Sequence, residues 1–223
     1  MSAIERLVQD AATLGVTLTG EDAARLLTLT EELARWNRSY NLTAISAPVA
    51  MVTHHLLDSL AVHSDLSGAR IADAGTGAGF PGLPLALCNP QRHFTLIDST
   101  AKKVRFVTHA AARLNLTNVT AVHARVESMQ PEEAFDTVVA RAFAPIPALL
   151  EKVTRICSAR TQVLAMKGKW PAEELAALPA HWRVLRSREL HVPGLDAARC
   201  LIVLVRASSA AQGPTRGMIE PVR

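Results

Sequence analysis

The residues that most constrain the fold form a glycine-rich stretch over 71–87, which reads IADAGTGAGFPGLPLAL. An apolar pair and Asp73 lead into 75–79, where three of five residues are glycine. Glycine has no side chain and accepts positive φ angles, so such a loop lets the backbone approach a ligand closely. Its place between a predicted strand and a predicted helix is typical of the ligand-binding turns of α/β proteins.

The rest of the chain alternates short apolar strands with helices, which predicts an α/β fold with a mostly parallel sheet and right-handed crossovers. Seven strands are expected. The last two are in hairpin relation, which predicts an antiparallel strand at one edge. The predicted strands are 70–75, 93–98, 119–124, 135–142, 161–168, 182–192 and 200–205, with helices over 100–114 and 146–157 between them.

No strand pattern precedes residue 70. A short helix over 3–14 is followed by a second that begins at Thr19, with Asp22 three residues on as in a capping box, and a third runs from about 48 to 63. The chain is therefore divided into three parts. These are a helical extension (1–66), an α/β domain (67–206) and a tail (207–223) with little apolar surface, which is expected to be disordered.

Charge is unevenly distributed along the chain. The formal net charge of +4 is the balance of −4 over 1–66 and +8 over 67–223. The larger part is thus suited to a polyanion such as nucleic acid. An arginine-rich surface is also compatible with a protein that binds no nucleic acid, so charge alone leaves both interpretations open.

Composition indicates a cytoplasmic protein without membrane association. The three cysteines are far apart and show neither a disulfide framework nor zinc-ligand spacing, which favours a reducing compartment. Charged residues within the first ten positions exclude a secretory signal core. The longest aliphatic run, 201–205, is too short to span a bilayer.

The glycine loop is compatible with three kinds of ligand: a nucleoside phosphate, a dinucleotide, or a molecule without a phosphate. A P-loop requires GxxxxGK[ST], which is absent. The dinucleotide pattern GxGxxG fails when counted from Gly75 and matches from Gly77, but Pro81 then removes an N–H where a pyrophosphate needs donors. Asp73 just before the loop repels a pyrophosphate and attracts a cation.

S-adenosylmethionine fits these residues better, because it carries an ammonium and a sulfonium but no phosphate. The glycines would let the chain pass beneath its methionine and ribose parts. Asp98 closes the second predicted strand, where a carboxylate is placed to accept both ribose hydroxyls. The same aspartate would serve NAD, so Asp98 alone does not decide, and a purely structural turn is the remaining alternative.

The sequence offers no candidate general base or covalent nucleophile. After the fourth strand, where many base-methylating enzymes carry [DN]PP[YF], the chain reads ARAFAPIP and contains Arg141. None of the three cysteines is well placed to attack a cytosine ring. A ring nitrogen with a free lone pair, such as guanine N7, needs neither group, because it has no proton to lose. The protein would then supply alignment and electrostatics.

Seven ordered blocks between residues 20 and 206 resemble the small-subunit ribosomal RNA guanine-N7 methyltransferases, also called the glucose-inhibited division protein B family. The blocks are RWNRSYNLTAI (35–45), HHLLDSL (54–60), DAGTGAGFPGLPLAL (73–87), LIDSTAKKVRFV (96–107), ARVE (124–127), ARAFA (140–144) and MKG (166–168). The resemblance implies a class I (Rossmann-like) methyltransferase domain that uses S-adenosylmethionine and releases S-adenosylhomocysteine. It also implies direct in-line methyl transfer to a guanine in the decoding-region hairpin of 16S ribosomal RNA.

Site residues follow from the resemblance together with the loop. The expected cofactor contacts are Gly75, Gly77, Gly79, Phe80, Asp98, Val126, Glu127 and Arg141. Arg141 is expected at the boundary between cofactor and acceptor, where it positions groups without transferring protons, because a guanidinium stays protonated. The candidate RNA contacts, on one rim, are Lys102, Arg125 and Lys167.

No metal site is expected. The histidines at 54, 55 and 63 have no cysteine or acid to complete a ligand set, and adjacent histidines point to different helix faces. A helix-face role near the cofactor mouth is the preferred interpretation. The expected partner is small-subunit ribosomal RNA, a 30S subunit or an assembly intermediate, bound by a monomer. The alternatives are a small-molecule methyltransferase, for which the basic charge is incidental, and a non-catalytic RNA- or ribosome-binding protein that retains the fold.

Overall fold

A computed structural model describes residues 1–207 and contains one seven-stranded sheet with strand order β3-β2-β1-β4-β5-β7-β6. The strands are β1 Arg70–Ala74, β2 His93–Asp98, β3 Val119–His123, β4 Phe135–Arg141, β5 Cys157–Lys167, β6 Trp182–Glu189 and β7 Cys200–Arg206. The predicted α/β class and the number of strands are confirmed. Apart from its first residue, the predicted tail lies outside the described residues.

The helices before β1 and between the strands form the other layers of the fold. They are α1 Ala3–Thr13, α2 Gly20–Tyr40, α3 Pro48–Met51, α4 Asp58–Leu60, α5 Gly82–Leu87, α6 Ala101–Arg113, α7 Ile146–Val153 and α8 Ala172–Ala176. A π-helical turn, Val52–Leu57, joins α3 to α4. Short 3-10 turns cover His63–Asp65, Val126–Ser128 and Thr154–Ile156.

The sheet is parallel from β3 to β5, with β1 and β4 at its centre. The last two strands pair antiparallel with each other, as predicted. The prediction that the antiparallel strand lies at the edge is wrong. β7 inserts between β5 and β6 and runs against both, so the edge strand β6 runs in the same direction as β5. The buried apolar run of β7 suits this interior place, whereas β6 is largely exposed.

The predicted N-terminus of the second helix is confirmed. The Thr19 hydroxyl accepts the Asp22 N–H at 3.0 Å, and the Asp22 carboxylate accepts the Thr19 N–H at 3.1 Å, which completes a capping box. The third predicted helix differs. Its middle is wound as the π-helical turn, in which the Asp58 N–H reaches the carbonyl of Thr53, and the helical segment ends at Leu60.

The helical segments before β1 share their apolar core with one face of the sheet. Leu26 and Leu33 of α2 belong to the same buried cluster as Ile71, Leu96 and Leu164. A second cluster covers the opposite face, where α7 packs on β4, β5 and β7. The boundary predicted at 66/67 is thus not a break in the core. Within residues 1–207, no helix is long and apolar enough to cross a membrane.

Candidate cofactor and acceptor pockets

A pocket of about 280 Å³ opens at the carboxyl ends of the central strands, and we call it the first pocket. In doubly wound sheets this edge is where ligands bind. Several of the predicted cofactor residues meet here. Its lining includes Gly75, Asp98, Lys103, Arg125, Val126, Glu127, Ala142 and Phe143.

The glycine loop is fixed against the neighbouring strand by its backbone. The N–H groups of Gly75 and Thr76 both donate to the carbonyl of Ile97, at 2.9 and 3.0 Å. The N–H groups of Gly79 and Phe80 then donate to the Thr76 carbonyl, each at 3.0 Å. These bonds hold the loop as a tight turn between β1 and α5.

The three loop glycines serve different purposes. A Cβ on Gly75 would meet the Phe143 ring at 2.2 Å, and one on Gly79 would meet Leu83 at 2.3 Å. A Cβ on Gly77 would meet nothing within 4 Å. Gly77 has a φ of +61°, which favours glycine, and it lies beside open space. Gly75 and Gly79 also have positive φ angles, +71° and +85°, so all three positions favour glycine. The open space is over Gly77, whereas Gly75 lines the first pocket.

Asp98, the last residue of β2, is buried at the floor of the first pocket. One carboxylate oxygen accepts the Gly77 N–H at 3.0 Å and the other accepts the Thr100 N–H at 2.8 Å. The ammonium of Lys103 lies 3.8 Å from the first of these oxygens. The structure thus places Asp98 beside the one loop glycine that borders open space.

Asp73 lies behind the loop, where we had expected it to face a cation. It is fully buried and does not line the first pocket. One oxygen accepts the Thr76 hydroxyl at 2.7 Å and the Gly82 N–H at 2.8 Å. The other oxygen is buried without a hydrogen-bond partner among the described residues. Burial raises the pKa of Asp73 to about 6, against the hydrogen bonds from Thr76 and Gly82 that lower it.

The opposite wall of the first pocket is the 3-10 turn after β3. Val126 is buried, while Glu127 lies 3.3 Å from the Lys152 ammonium and 3.8 Å from the Arg125 guanidinium. A hydrogen bond from its own backbone N–H lowers the pKa of Glu127, and Lys152 adds to this effect. Val126 and Glu127 thus reach the pocket from a second strand end, as the resemblance implies.

A second pocket, of about 440 Å³, lies on the other side of Ala142, which lines both. Ala142 follows β4 and has a φ of +50°, an unusual conformation for a residue with a side chain. The other residues that line this second pocket are Ile45, His54, His55, Asp58, Arg141, Met166, Lys167, Gly168 and Arg199.

A buried carboxylate ties together the two arginines of the second pocket. Asp58, whose side chain is 3% exposed, accepts from Arg141 Nη1 at 2.8 Å and from Arg199 Nε at 3.0 Å. Arg141 Nη1 also donates to the carbonyl of His54, in the π-helical turn, at 2.8 Å. The π-helical turn therefore presents a carbonyl to Arg141, and the first residue of α4 presents a carboxylate.

His55 extends this network to α2. Its Nδ1 lies 3.4 Å from Arg141 Nη2, and because a guanidinium can only donate, Nδ1 is the acceptor. Nε2 then carries the proton and donates to the Thr43 hydroxyl at 3.0 Å. The Asn37 side chain in turn bonds both backbone groups of Thr43. Burial first and Arg141 second lower the pKa of His55 to about 4, so the ring is neutral.

Phe80 lies beside this network. It stacks on His55 with ring centroids 4.8 Å apart, and the guanidinium carbon of Arg141 is 5.9 Å from its ring centroid. Phe80 is absent from the lining of the first pocket, and the same holds for Gly77, Gly79 and Arg141. The predicted cofactor residues are thus divided: Arg141 lines the second pocket, and Phe80 packs against His55 of that pocket.

The three candidate RNA contacts differ in their surroundings. Arg125 lines the first pocket and is largely exposed. Lys167 lines the second pocket, and its ammonium is paired with Glu174 at 2.7 Å. Lys102 lines neither and donates to the Tyr40 carbonyl at 2.7 Å. Lys102 follows β2, Arg125 follows β3 and Lys167 ends β5; because these strands are parallel, all three cations lie towards the carboxyl edge of the sheet. Their role as RNA contacts stays a prediction.

Sequence reasoning did not single out Asp58, Arg199 or Thr43. Asp58 falls within the HHLLDSL block, four residues after His54, and that spacing was the available signal. Arg199 has no motif around it, and it joins Asp58 across 141 positions of sequence. Among residues 1–207 no group of three or more His, Cys, Asp or Glu side chains is arranged to hold a metal ion.

The chain has close relatives. A family model described as GidB, rRNA small subunit methyltransferase G, matches residues 22–203. Ribosomal RNA small subunit methyltransferase G of Saccharophagus degradans is 44% identical over 205 residues, which cover 92% of each chain. The protein of the same name from Aeromonas hydrophila is 44% identical over 199 residues, covering 89% of this chain and 93% of that protein.

Solved structures share the fold at low sequence identity. A SAM-dependent methyltransferase from Aquifex aeolicus aligns with a TM-score of 0.54 at 17% identity, covering 70% of this chain and 93% of that one. A methyltransferase from Thiobacillus denitrificans, solved with S-adenosyl-L-homocysteine, aligns with a TM-score of 0.52 at 12% identity, covering 67% and 91%. These likenesses confirm the class I methyltransferase fold. With its sequence relatives at over 40% identity, the chain belongs to the GidB family, rRNA small subunit methyltransferase G.

Proposed function

We propose that this protein transfers a methyl group from S-adenosylmethionine to N7 of a guanine in small-subunit ribosomal RNA, without a general base. The observation that carries the proposal is the pair of pockets that meet at Ala142. One is built from a glycine turn and a strand-end carboxylate, and the other from two arginines and a neutral histidine. A donor and an acceptor held on the two sides would meet at their shared wall.

The residues of the first pocket fit S-adenosylmethionine better than a dinucleotide. The N-terminus of α5, where a pyrophosphate would bind, has Pro81 as its cap, and its Gly82 N–H is taken by Asp73. A phosphate there would meet a carboxylate. Open space over Gly77, with Asp98 beside it, suits an uncharged ribose and a cationic methionine part. When bound, the cofactor supplies an electrophilic methyl group on a sulfonium.

Asp98, Val126 and Glu127 would hold the ribose and adenine, and Gly77 would border the methionine part. Arg141 lies on the acceptor side, where its role is to orient. It is fixed by Asp58 and by the His54 carbonyl, so its position is set before an acceptor enters. Arginine is a frequent partner of the O6/N7 edge of guanine. Donation to O6 from the arginines of the second pocket would leave the N7 lone pair free to attack.

The two buried acid–base groups of the second pocket, His55 and Asp58, are already engaged by hydrogen bonds and are not placed to remove a proton. His55 is neutral, but its Nδ1 faces Arg141 and its Nε2 donates to Thr43. The cysteines are poor nucleophiles, because burial raises the pKa of Cys88 and of Cys157 to about 12. Guanine N7 requires neither a base nor a covalent adduct, so the proposed acceptor agrees with the groups that are present.

The proposed substrate is small-subunit ribosomal RNA, free or within a 30S subunit or an assembly intermediate. The protein would bind it as a monomer in the cytoplasm. The test is a single-turnover assay with methyl-labelled S-adenosylmethionine and undermethylated small subunits or their RNA. Label at guanine N7 is expected. Label in small molecules but not in RNA would support a small-molecule methyltransferase. RNA binding without label would support a non-catalytic protein.

Two further measurements test the mechanism. Arg141→Ala should reduce the single-turnover rate by roughly 10²–10³-fold, the range for loss of one electrostatic donor. Arg183→Ala, at an exposed arginine of β6, is the matched control and should have no effect.

Because the pKa of His55 is about 4, the wild-type rate at saturating substrate should be flat between about pH 6 and 9. A sigmoid in that range would reveal a general base and contradict the proposal.

A further inference from the structure

A third pocket, which we call the Trp170 pocket, lies next to the second pocket. Its volume is about 600 Å³. It is formed by the segment after β5, by the connection between β6 and β7 with the strand residues next to it, and by Thr13 at the end of α1. The residues that matter for its chemistry are Trp170, Glu189, Leu190, Val192, Asp196 and Arg199.

The Trp170 pocket is continuous with the second pocket. Gly168 and Arg199 line both. Arg199 is anchored from one side by Asp58, at 3.0 Å from its Nε, so its guanidinium forms a fixed partition between the two spaces. A polymer whose reacting unit occupies the second pocket would therefore have its next unit beside the Trp170 pocket.

The lining of the Trp170 pocket has the character of a stacking site. Trp170 is 47% exposed, an unusual state for a tryptophan with no partner ring among residues 1–207. Leu190 and Val192 are buried and form an apolar floor. A flat aromatic wall over an apolar floor suits the face of an unpaired base, which gains free energy by stacking on such a ring.

The charges of the Trp170 pocket favour a base over a phosphate. Glu189 and Asp196 line it and are exposed, and a carboxylate repels a phosphate. Carboxylates accept hydrogen bonds from the exocyclic amino groups of bases. Arg199, a cation that would suit the sugar–phosphate backbone, lines both the Trp170 pocket and the second pocket.

We propose that the Trp170 pocket binds an unpaired nucleobase with an exocyclic amino group, next to the target guanine in the same RNA. The inference rests on the proposed function and deepens it, because it names a second nucleotide subsite. The base stacks on Trp170, and Glu189 or Asp196 accepts from its amino group. The subsite orients the RNA strand so that the target guanine enters the second pocket.

The test uses a hairpin of small-subunit ribosomal RNA with 2-aminopurine at each position that flanks the target guanine, one position per RNA. Binding of the wild-type protein should quench the fluorescence at one flanking position by stacking. Trp170→Ala should abolish this quenching and weaken RNA binding by about tenfold, whereas Trp170→Phe should keep both. Affinity for S-adenosylmethionine, measured by calorimetry, should be unchanged in both variants.

Leu185→Ala provides the matched control, since Leu185 is an exposed apolar residue of β6 outside the pocket lining. It should bind and quench as wild type does. Wild-type quenching and RNA affinity in Trp170→Ala would overturn the inference. So would concentration-dependent self-association that Trp170→Ala removes, because the pocket would then hold a second copy. Failure of the wild-type protein to methylate RNA would instead count against the proposed function.

Discussion

The two pockets that meet at Ala142 are built in different ways. The first pocket uses backbone N–H groups and one carboxylate, and its polar contacts join the glycine loop to the neighbouring β2 and to the turn after it. The second pocket uses charged side chains from distant segments, which hold one another through Asp58. The first depends on chain conformation, and the second on a balance of buried charges.

This difference explains how each pocket tolerates change. A backbone turn keeps its shape when one side chain is altered, because most of its hydrogen bonds remain. A buried charge network loses its balance when one member is removed, since the remaining charges become unpaired in a medium that solvates them poorly. The variants below are ordered by the size of the effect that this contrast predicts.

Asp58→Ala is expected to have the largest effect on stability. It would leave Arg141 and Arg199 facing each other without their shared carboxylate, and both are largely buried. The free energy of unfolding should fall by about 3–5 kcal/mol in denaturant titrations. Glu133→Ala, which breaks the exposed pair with Arg70, should cost less than about 1 kcal/mol. Equal losses in the two variants would contradict the contrast.

Asp73→Asn tests the buried carboxylate behind the glycine loop. The pKa of Asp73 is raised from 3.8 to about 6, so its neutral form stabilises the fold below about pH 4 and this contribution is lost as pH rises through about 6. The loss amounts to about 3 kcal/mol at most. The amide variant lacks this titration, so its unfolding free energy should rise relative to wild type between pH 4 and 7. Parallel pH profiles would show that Asp73 does not titrate there.

Asp98→Ala should weaken S-adenosylmethionine binding by about 1.5–3 kcal/mol, through loss of hydrogen bonds to a charged group. Asp136→Ala is a close control, because the Asp136 carboxylate also accepts two backbone N–H groups, from Ala69 and Arg70, but lies outside the first pocket. It should lower stability while cofactor affinity, measured by calorimetry, stays at the wild-type value. Unchanged affinity in Asp98→Ala would remove this residue from the cofactor site.

The smallest effects are expected for surface cations. Arg125→Ala should reduce the slope of log affinity against log salt for RNA by roughly 0.7–0.9, as for one lost phosphate contact, because its side chain is 75% exposed. Lys167→Ala should change the slope less, since Glu174 already pairs with its ammonium at 2.7 Å. Binding titrations at several salt concentrations measure both slopes. A larger change for Lys167 would mean that RNA displaces Glu174.

The sequence predicted the fold well where local patterns carry it. The Thr19–Asp22 capping box and the strand 93–98 were read from spacing and apolar runs, and the structure has both. The insertion of β7 between β5 and β6 was not predicted, because hairpin spacing gives the pairing of two strands but not which of them joins the sheet.

The two pockets also differ in how far local sequence patterns predict them. Gly77 and Asp98 are 21 positions apart and belong to consecutive strand ends, so the strand–turn–helix pattern was enough to place them together. Asp58 and Arg199 meet through tertiary packing alone, and no local pattern records that contact. Asp73 was misjudged for a related reason. Its position before the loop was clear, but the direction of its side chain depends on Thr76 and Gly82.

The chain of hydrogen bonds from Asn37 through Thr43 and His55 to Arg141 bears on how such enzymes can be recombined. An exchange of the helices before β1 would disturb the apolar core that they share with one face of the sheet. Here it would also remove the hydrogen-bonded support of Arg141, the last residue of β4. In a chimeric protein, residues 37, 43 and 55 therefore have to come from the same parent as Arg141, although they lie on the other side of the boundary at 66/67.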